Sequence, residues 1–426
     1  MAAVVRRQLA FISRISSRQC SRCFYSSLAA PQSQKQQDEI TLLDQSYRTD
    51  EWTNISNPII DTLSRKLHLQ PSHPVGILRK IIEARFPENQ YTRYSELPPV
   101  VTTQQNFDSL GIPADHPGRS RTDTYYVNAN TVLRTHTSAH QAETFRSCPT
   151  PGFLISADVY RRDSIDKSHY PSFHQMEGAM LWNWDKDTAQ TVENDIAKLP
   201  KVDLVVEDVP AFHDQNPKQQ GHTDEESIAM SNHLKRTLEG VVEEIFGRAR
   251  LAAGNISDEK LRVRWIDAYF PFTSPSYELE VFWEGQWLEL LGCGVVAQSV
   301  LENAGSSFAS SMLTIGVRNK VGWAFGIGLD RLAMVLFGVP DIRLFWSRDE
   351  RFLKQFSPGK VSQFKPFSKY PDCYKDVAFW VNDSKISAAG GGQVSTFHEN
   401  DIMELFREEG GDLIEDVRLV SPSDHI

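Results

Sequence analysis

Cysteine is scarce, with five in 426 residues. Cys148, Cys293 and Cys373 are isolated from one another along the chain, so neither a disulfide framework nor a zinc cluster is expected. Cys20 and Cys23 form the one C-x-x-C, but it lies in a basic N-terminal stretch that carries no other ligand-type residue, and no metal or redox role is assigned to it. Long apolar runs are missing too. None approaches the roughly 18 residues that a spanning helix needs, which excludes a bundle of membrane helices, and no membrane partner is expected.

Acids are absent from the first 37 residues, which hold Arg6, Arg7, Arg14, Arg18, Arg22 and Lys35 before the first acid, Asp38. Arg and Ser enrichment, no acid and an apolar set at Val4, Val5, Leu9, Phe11, Ile12 and Ile15 together have the physics of a mitochondrial transit peptide. Residues 1–37 are therefore expected to be a leader and a disordered start, and the matrix is the expected compartment. Of the 45 bases, those six removed leave 39 against 55 acids, a net charge of −16. So acidic a body does not bind nucleic acid blindly, because such binding is driven by phosphate neutralisation. Any nucleic-acid partner must meet a local patch.

The remainder, 40% apolar and 23% charged, has an ordinary globular composition, and at about 150 residues per domain its length suggests two or three domains. Pro74 to Phe86 reads as an amphipathic helix with Pro in its first turn and Ile77, Leu78, Ile81 and Ile82 at helical spacing. Segments 152–162, 172–184, 262–272, 278–292 and 321–328 are rich in aromatic and β-branched residues, as expected of strands in one antiparallel sheet. The helix over 224–248 opens with the capping box Thr223-x-x-Glu226, and Pro210 to Gly221 before it reads as a surface loop. Strands interrupted by blocks of helix indicate an α+β fold. Residues 343–372 read as a linker that packs on its neighbours. Beyond it, strand Val377–Val381, turn Gly390–Gly392, helix Phe397–Glu409 opened by Thr396-x-x-Glu399, and strand Leu413–Val420 form the start of a ferredoxin-like unit.

Two segments concentrate chemistry. Side chains alternate on a strand, so Phe173, Gln175 and Glu177 share one face, and Arg161 and Asp163 share a face of the neighbouring strand. Charged groups on both arms of a hairpin are costly to cover unless they meet a ligand or one another, so the alternatives are a binding surface and a solvated face with a structural ion pair. The second segment, Gly326-Ile327-Gly328-Leu329-Asp330-Arg331, follows an apolar strand and opens a helix. It lacks the third Gly of a dinucleotide fingerprint. An Arg in a first helical turn is poorly placed for the helix dipole, which makes a function for Arg331 plausible.

In this order the two segments resemble motifs 2 and 3 of the class II aminoacyl-tRNA synthetases. His136-Thr137-Ser138-Ala139-His140-Gln141, Phe173-His174-Gln175-Met176-Glu177-Gly178, Phe270-Pro271-Phe272 and Leu291-Gly292-Cys293-Gly294 resemble the phenylalanyl-tRNA synthetase core. Tyr370 to Trp380 resembles the start of that family's ferredoxin-fold anticodon-binding domain, and the single-chain organellar branch carries both units on one polypeptide, as here. The resemblance implies a class II antiparallel-sheet catalytic core with flanking helices over 51–342, a linker over 343–372 and a partial anticodon-binding domain over 373–426. It implies ATP-dependent activation of phenylalanine and its transfer to tRNA(Phe), with Mg²⁺ as cofactor, by a monomer. A non-catalytic RNA- or partner-binding protein on the same fold is the alternative; the intact Arg161, Glu177 and Arg331 speak against it.

By the same resemblance, Arg161 meets the α-phosphate and the substrate carboxylate, while Arg331 holds the γ-phosphate region and covers adenine, with Phe173 on the other face. Asp163 stands where many relatives have Glu for the adenine amino group, a shorter reach. Phe325 and Glu289 complete the ATP site, and Glu289 is the expected Mg²⁺ ligand. His136, Ser138, Gln141, Gln175 and Glu177 receive the amino acid's polar end. Phe270 and Phe272, two apart on an expected strand, would box its ring, and Ala324 would form the pocket floor. Two departures stand out. Ser306–Gly316 is extra relative to the family pattern, and after Leu413–Val420 the second half of the ferredoxin-like unit does not follow before Ile426, so an unpaired edge and a poorly stable small domain are expected.

Overall fold

The computed structural model describes residues 2–9, 39–163, 166–254, 259–305, 317, 319–367, 373–380, 399–410 and 414–420. In chain order its strands are β1 (Ala2–Leu9), β2 (Glu39–Leu42), β3 (Gln45–Arg48), β4 (Tyr91–Tyr94), β5 (Val100–Thr102), β6 (Tyr126–Asn128), β7 (Thr131–Leu133), β8 (Gly152–Tyr160), β9 (Ser172–Asn183), β10 (Leu204–Glu207), β11 (Leu261–Asp267), β12 (Thr273–Trp283), β13 (Gln286–Val296), β14 (Lys320–Gly328), β15 (Cys373–Trp380) and β16 (Ile414–Val420). The helices are α1 (Asn57–Leu63), α2 (Pro74–Glu83), α3 (Thr103–Asn106), α4 (Gln141–Ser147), α5 (Thr188–Ile196), α6 (Asp224–Ala252), α7 (Gln298–Gly305), α8 (Leu329–Phe337), α9 (Glu350–Leu353) and α10 (Glu399–Gly410).

An eight-stranded sheet in the order β10-β11-β12-β13-β14-β9-β8-β4 organises the molecule. Its six central strands pair antiparallel, as the α+β reading expects, while the two edge pairings, β10 with β11 and β4 with β8, are parallel. One face is covered by α2, α6 and α8. Helix α6 starts at both halves of its capping box, Glu226 N–H to Thr223 Oγ1 at 3.2 Å and Thr223 N–H to Glu226 Oε2 at 2.9 Å. Asp224, Glu225 and Glu226 fill its first turn, where acids suit the dipole. It buries Leu234, Leu238, Val241, Val242 and Ile245 against Trp265, Tyr277 and Trp323 of the sheet, each such side chain worth about 1.5–3 kcal/mol.

Between 262 and 292 the expectation needs correcting. Instead of two strands there are three, because the run expected over 278–292 is broken by a hairpin at Glu284-Gly285. Both turn residues have positive φ (49° and 87°), which matches the twist of the flanking strands. Glu is not a usual first residue of such a turn, so composition conceals it. Strand β11 ends at Asp267, and Phe270 and Phe272 therefore lie on the connection to β12, not on a strand.

Within the segment expected as a linker, Phe345, Phe352 and Phe356 are buried and join Phe337 of α8 in the core. In the small unit α10 and β16 appear close to their expected bounds and β15 starts at Cys373, four residues before the expected Val377, whereas Gly390–Gly392, Thr396 and the extra Ser306–Gly316 lie outside the described residues. Strands β15 and β16 do not pair with each other. Ala2–Leu9, within the stretch read as a leader, runs between them and antiparallel to both. Helix α10 rests on the larger unit, where Arg162 pairs with Asp401 and Glu404 at 2.8 Å each and Ser56 Oγ donates to Glu404 Oε1 at 2.6 Å.

Candidate active site

The site lies on the sheet face opposite α2, α6 and α8, and its floor follows from strand register. Glu177 on β9 is level with Gly326 on β14 and Ile155 on β8, and Gly326 is level with Gly292 on β13, which faces Glu278 on β12. This row crosses five strands on one face, two of its members being glycines. At Gly326 and Gly328 a side chain would meet nothing within 4 Å, so the open volume sits directly over the strand. Gly292 is different. A β-carbon there would stand 2.6 Å from the Phe270 ring, so the ring rests on bare backbone and only glycine leaves it that position.

At one end of this floor the turn after His136 delivers a cluster of donors to Glu177. Ser138 Oγ donates to Glu177 Oε2, Thr137 Oγ1 approaches the same oxygen at 3.4 Å, and the Thr137 N–H approaches Gln175 Oε1 at 3.4 Å. Gln141 is buried beside them. Glu177 is only 2% exposed, and burial pushes its carboxyl up to about 7 against the opposing pull of Ser138, Thr137 and Gln141. Its other oxygen, Oε1, is sealed and has no hydrogen-bond partner among the described residues. Nor has either ring nitrogen of His136, whose pKa is pushed down to about 3 by burial and then by the charge of Arg161. Unpaired buried polar atoms are rare and costly, and these lie on Glu177 and on the residue that opens the turn beside it.

Arg161 leaves the end of β8 with its Nε–H bonded to Thr135 O at 2.9 Å and its guanidinium 5.3 Å over the Phe173 ring. Its Nη groups make no hydrogen bond among the described residues. Arg331 stands exposed in the first turn of α8, with no ion pair among the described residues. Asp163 is exposed and close enough to act on the charge of Arg161. Phe270 and Phe272 lie nearly parallel, 5.9 Å apart at 10°, and Phe272 packs with Ala324, Val296 and Phe153 beside the floor. The loss of the expected strand thus leaves their shared orientation intact.

Phe325 is a correction. Residues alternate along β14, so Ala324 and Gly326 face the cleft while Phe325 faces the helices, buried at 5.6 Å from the ring of Phe86. It supports the floor from beneath and cannot touch a ligand on the other face.

Glu289 is exposed on β13, across from Glu280 of β12, and Glu280 is itself paired with Arg264. Glu278 lies on the same face, and burial, then Glu289 and Glu280, raise its pKa. No group of three His, Cys, Asp or Glu side chains poised to hold a metal occurs among the described residues. A Mg²⁺ that keeps several waters and shares nucleotide phosphates needs only one or two carboxylates, and Glu289 with Glu278 fits that demand. Thr137, Glu278 and Gly292 were not foreseen as site residues. Glu278 comes level with Gly292 only through the hairpin and a register shift after Leu279, and nothing in the sequence marks either these or the Phe270 contact with Gly292.

A sheet face of this make-up, set between segments that resemble motifs 2 and 3, agrees with the family comparison. The model "tRNA synthetases class II core domain (F)" matches residues 59–189 and 220–356, spanning every residue of the cleft. The chain belongs to the phenylalanine–tRNA ligases of the class II aminoacyl-tRNA synthetases. It is 46% identical over 407 residues to the mitochondrial phenylalanine–tRNA ligase of Saccharomyces cerevisiae, covering 89% of this chain and 84% of that one. The chloroplastic/mitochondrial enzyme of Arabidopsis thaliana is 41% identical, covering 87% and 72%, and the mitochondrial enzyme of Mus musculus 40% identical, covering 91% and 78%. As a class II ligase the chain has ATP as a substrate and an amino acid and tRNA as partners, and its relatives place it in the mitochondrion.

Proposed function

We propose that this chain, as a monomer in the mitochondrial matrix, activates L-phenylalanine on the cleft face between His136 and Arg331 and transfers it to the terminal ribose of tRNA(Phe). The observation that carries the assignment of residues is Glu177: a buried carboxylate with one oxygen held by neutral donors and the other unpartnered, an acceptor waiting for a cation. The ammonium of phenylalanine, steered by Gln175, Ser138 and Gln141, is that cation, and its ring extends toward Phe270, Phe272 and Ala324. This places the substrate carboxylate near Arg161.

Activation joins two anions, because the carboxylate oxygen attacks the α-phosphorus of ATP while the bond to the departing pyrophosphate breaks. Positive charge aimed at the phosphates is therefore the main requirement. Arg161 supplies it at the α-phosphate and Arg331 at the far end, with adenine held between Phe173 and Arg331. Mg²⁺, held by Glu289 and Glu278, would neutralise the remaining phosphate charge. An apolar ring pocket rejects an added hydroxyl only modestly, by about 10², so discrimination against tyrosine is expected at that level.

Pyrophosphate exchange measured with each of the twenty amino acids tests the reading. Exchange that depends on phenylalanine, with tyrosine weakly active, is expected; exchange with another amino acid, or none, overturns it.

A further inference from the structure

We propose that the buried pair His174–Asp330, on the sheet face away from the substrates, is a positioning device that sets where Arg331 stands relative to Phe173 and so governs ATP binding. The inference rests on the ATP-site reading above, in which Phe173 and Arg331 hold the two faces of adenine.

Strand β14 pairs with β9 until Gly328 lies level with Gln175, and there the chain turns into α8. One residue farther along β9, the N–H of His174 has lost its strand partner. Asp330, in the first turn of α8, replaces it: Oδ2 accepts the His174 backbone N–H at 2.5 Å, and the carboxylate also takes the ring Nδ1 at 3.1 and 3.2 Å. A side chain thus continues the ladder across the gap, and the helix start is bonded to the strand at two points of one residue. Both partners are sealed, with side chains 0% and 3% exposed. The His174 ring is stacked on Trp346 at 5.4 Å and 15° and lies 5.5 Å from the ring of His68, so it cannot swing away. Its Nε2 has no partner, which puts the ring proton on Nδ1, facing Asp330.

The neighbours of this pair in sequence are Phe173 and Arg331. Phe173 shares the cleft face with Gln175 and Glu177 and Arg331 stands exposed at the start of α8, and on the reading above the gap between them holds adenine. Fixing one backbone to the other through a charge-assisted double bond fixes that gap before ATP arrives, which is the condition for binding without reorganisation. Among the described residues neither Phe173 nor Arg331 makes a hydrogen bond or ion pair with the other's element.

The test is pyrophosphate exchange by the full chain, with KM for ATP and for phenylalanine read separately. His174→Phe keeps the stack on Trp346 and removes the donor; it is expected to raise KM for ATP by about tenfold while KM for phenylalanine changes less than about twofold. His174→Asn, which can still donate from the Nδ1 position, is expected to recover most of the loss. Arg331→Ala is expected to raise KM for ATP strongly in the unaltered chain and much less in the His174→Phe background, because a misplaced Arg331 has little left to lose. Asp330→Asn carries the same comparison if His174→Phe fails to fold. An unchanged KM for ATP in His174→Phe, equal rises in both KM values, or the same Arg331→Ala factor in both backgrounds overturns the proposal. If Arg331→Ala leaves KM for ATP unchanged in the otherwise unaltered chain, it is the ATP-site reading that falls.

Discussion

Asp158 and Glu177 are both buried carboxylates, on neighbouring strands of one sheet, and they are treated in opposite ways. Asp158 faces the helix side. Burial raises its pKa, but Arg134 and the Tyr160 hydroxyl outweigh that and hold it below the usual carboxylate range. Arg134 is in turn fully engaged, with Nε–H bonded to Asp158 O at 2.6 Å and Nη1 to Leu97 O at 2.9 Å and Pro98 O at 3.0 Å. Glu177 faces the cleft, has only neutral donors around it, and is pushed up to about 7. Where the fold needs a charge it supplies the counter-charge itself. At Glu177, on the proposed reading, the counter-charge is left to the ligand.

That contrast can be broken first on its structural side. Arg134→Met leaves Asp158 buried without its cation and should cost about 3–5 kcal/mol in urea unfolding, while replacing Arg134 and Asp158 together by apolar residues should recover most of it. A loss no larger than that of an exposed ion pair would mean that Asp158 is not held as described. On the cleft side the loss should appear in rate and leave stability alone. Arg161→Ala, exposed and bonded through Nε only, is expected to lower exchange by about 10² with a nearly unchanged melting temperature.

The pH dependence sharpens the comparison further. Glu177 binds its proton more tightly in the folded protein (about 7) than in the unfolded chain, so its contribution to stability falls as pH rises from the ordinary carboxylate range to about 7. On the proposed reading the ammonium of phenylalanine needs the ionised form, so binding runs the other way. KM for phenylalanine should fall as pH rises through about 7, by up to roughly tenfold per unit below it, and Glu177→Gln should raise KM and flatten the profile. A flat profile in the unaltered chain would count against Glu177 as the ammonium acceptor. The smallest effect belongs to Ala324→Gly, which removes one buried methyl beside Phe272. Activation of para-chlorophenylalanine should rise relative to phenylalanine, at a stability loss of about 1 kcal/mol. No gain in that ratio would place Ala324 away from the end of the ring.

How much of this was legible depended on range. Helix α6 was readable because its capping box and apolar stripe are written within a few turns, and β8 and β9 because their runs end at polar loops. The hairpin at Glu284-Gly285 was not, since positive φ at a glutamate has no compositional signature. Phe325 was misassigned for a related reason. A motif gives membership of a strand, but which face an aromatic residue takes depends on register with β9, where Gly326 and not Phe325 meets Glu177 on the cleft side.

The sequence by itself determined the α+β class, the family and the order of the motifs, because these rest on residue type, local spacing and strand alternation. Only the tertiary structure decided which groups are left without partners, that Gly292 makes room for Phe270, and that Asp330 reaches His174 across 156 positions of chain. Burial and hydrogen bonding are properties of what surrounds an atom, and those surroundings are assembled from strands far apart in sequence.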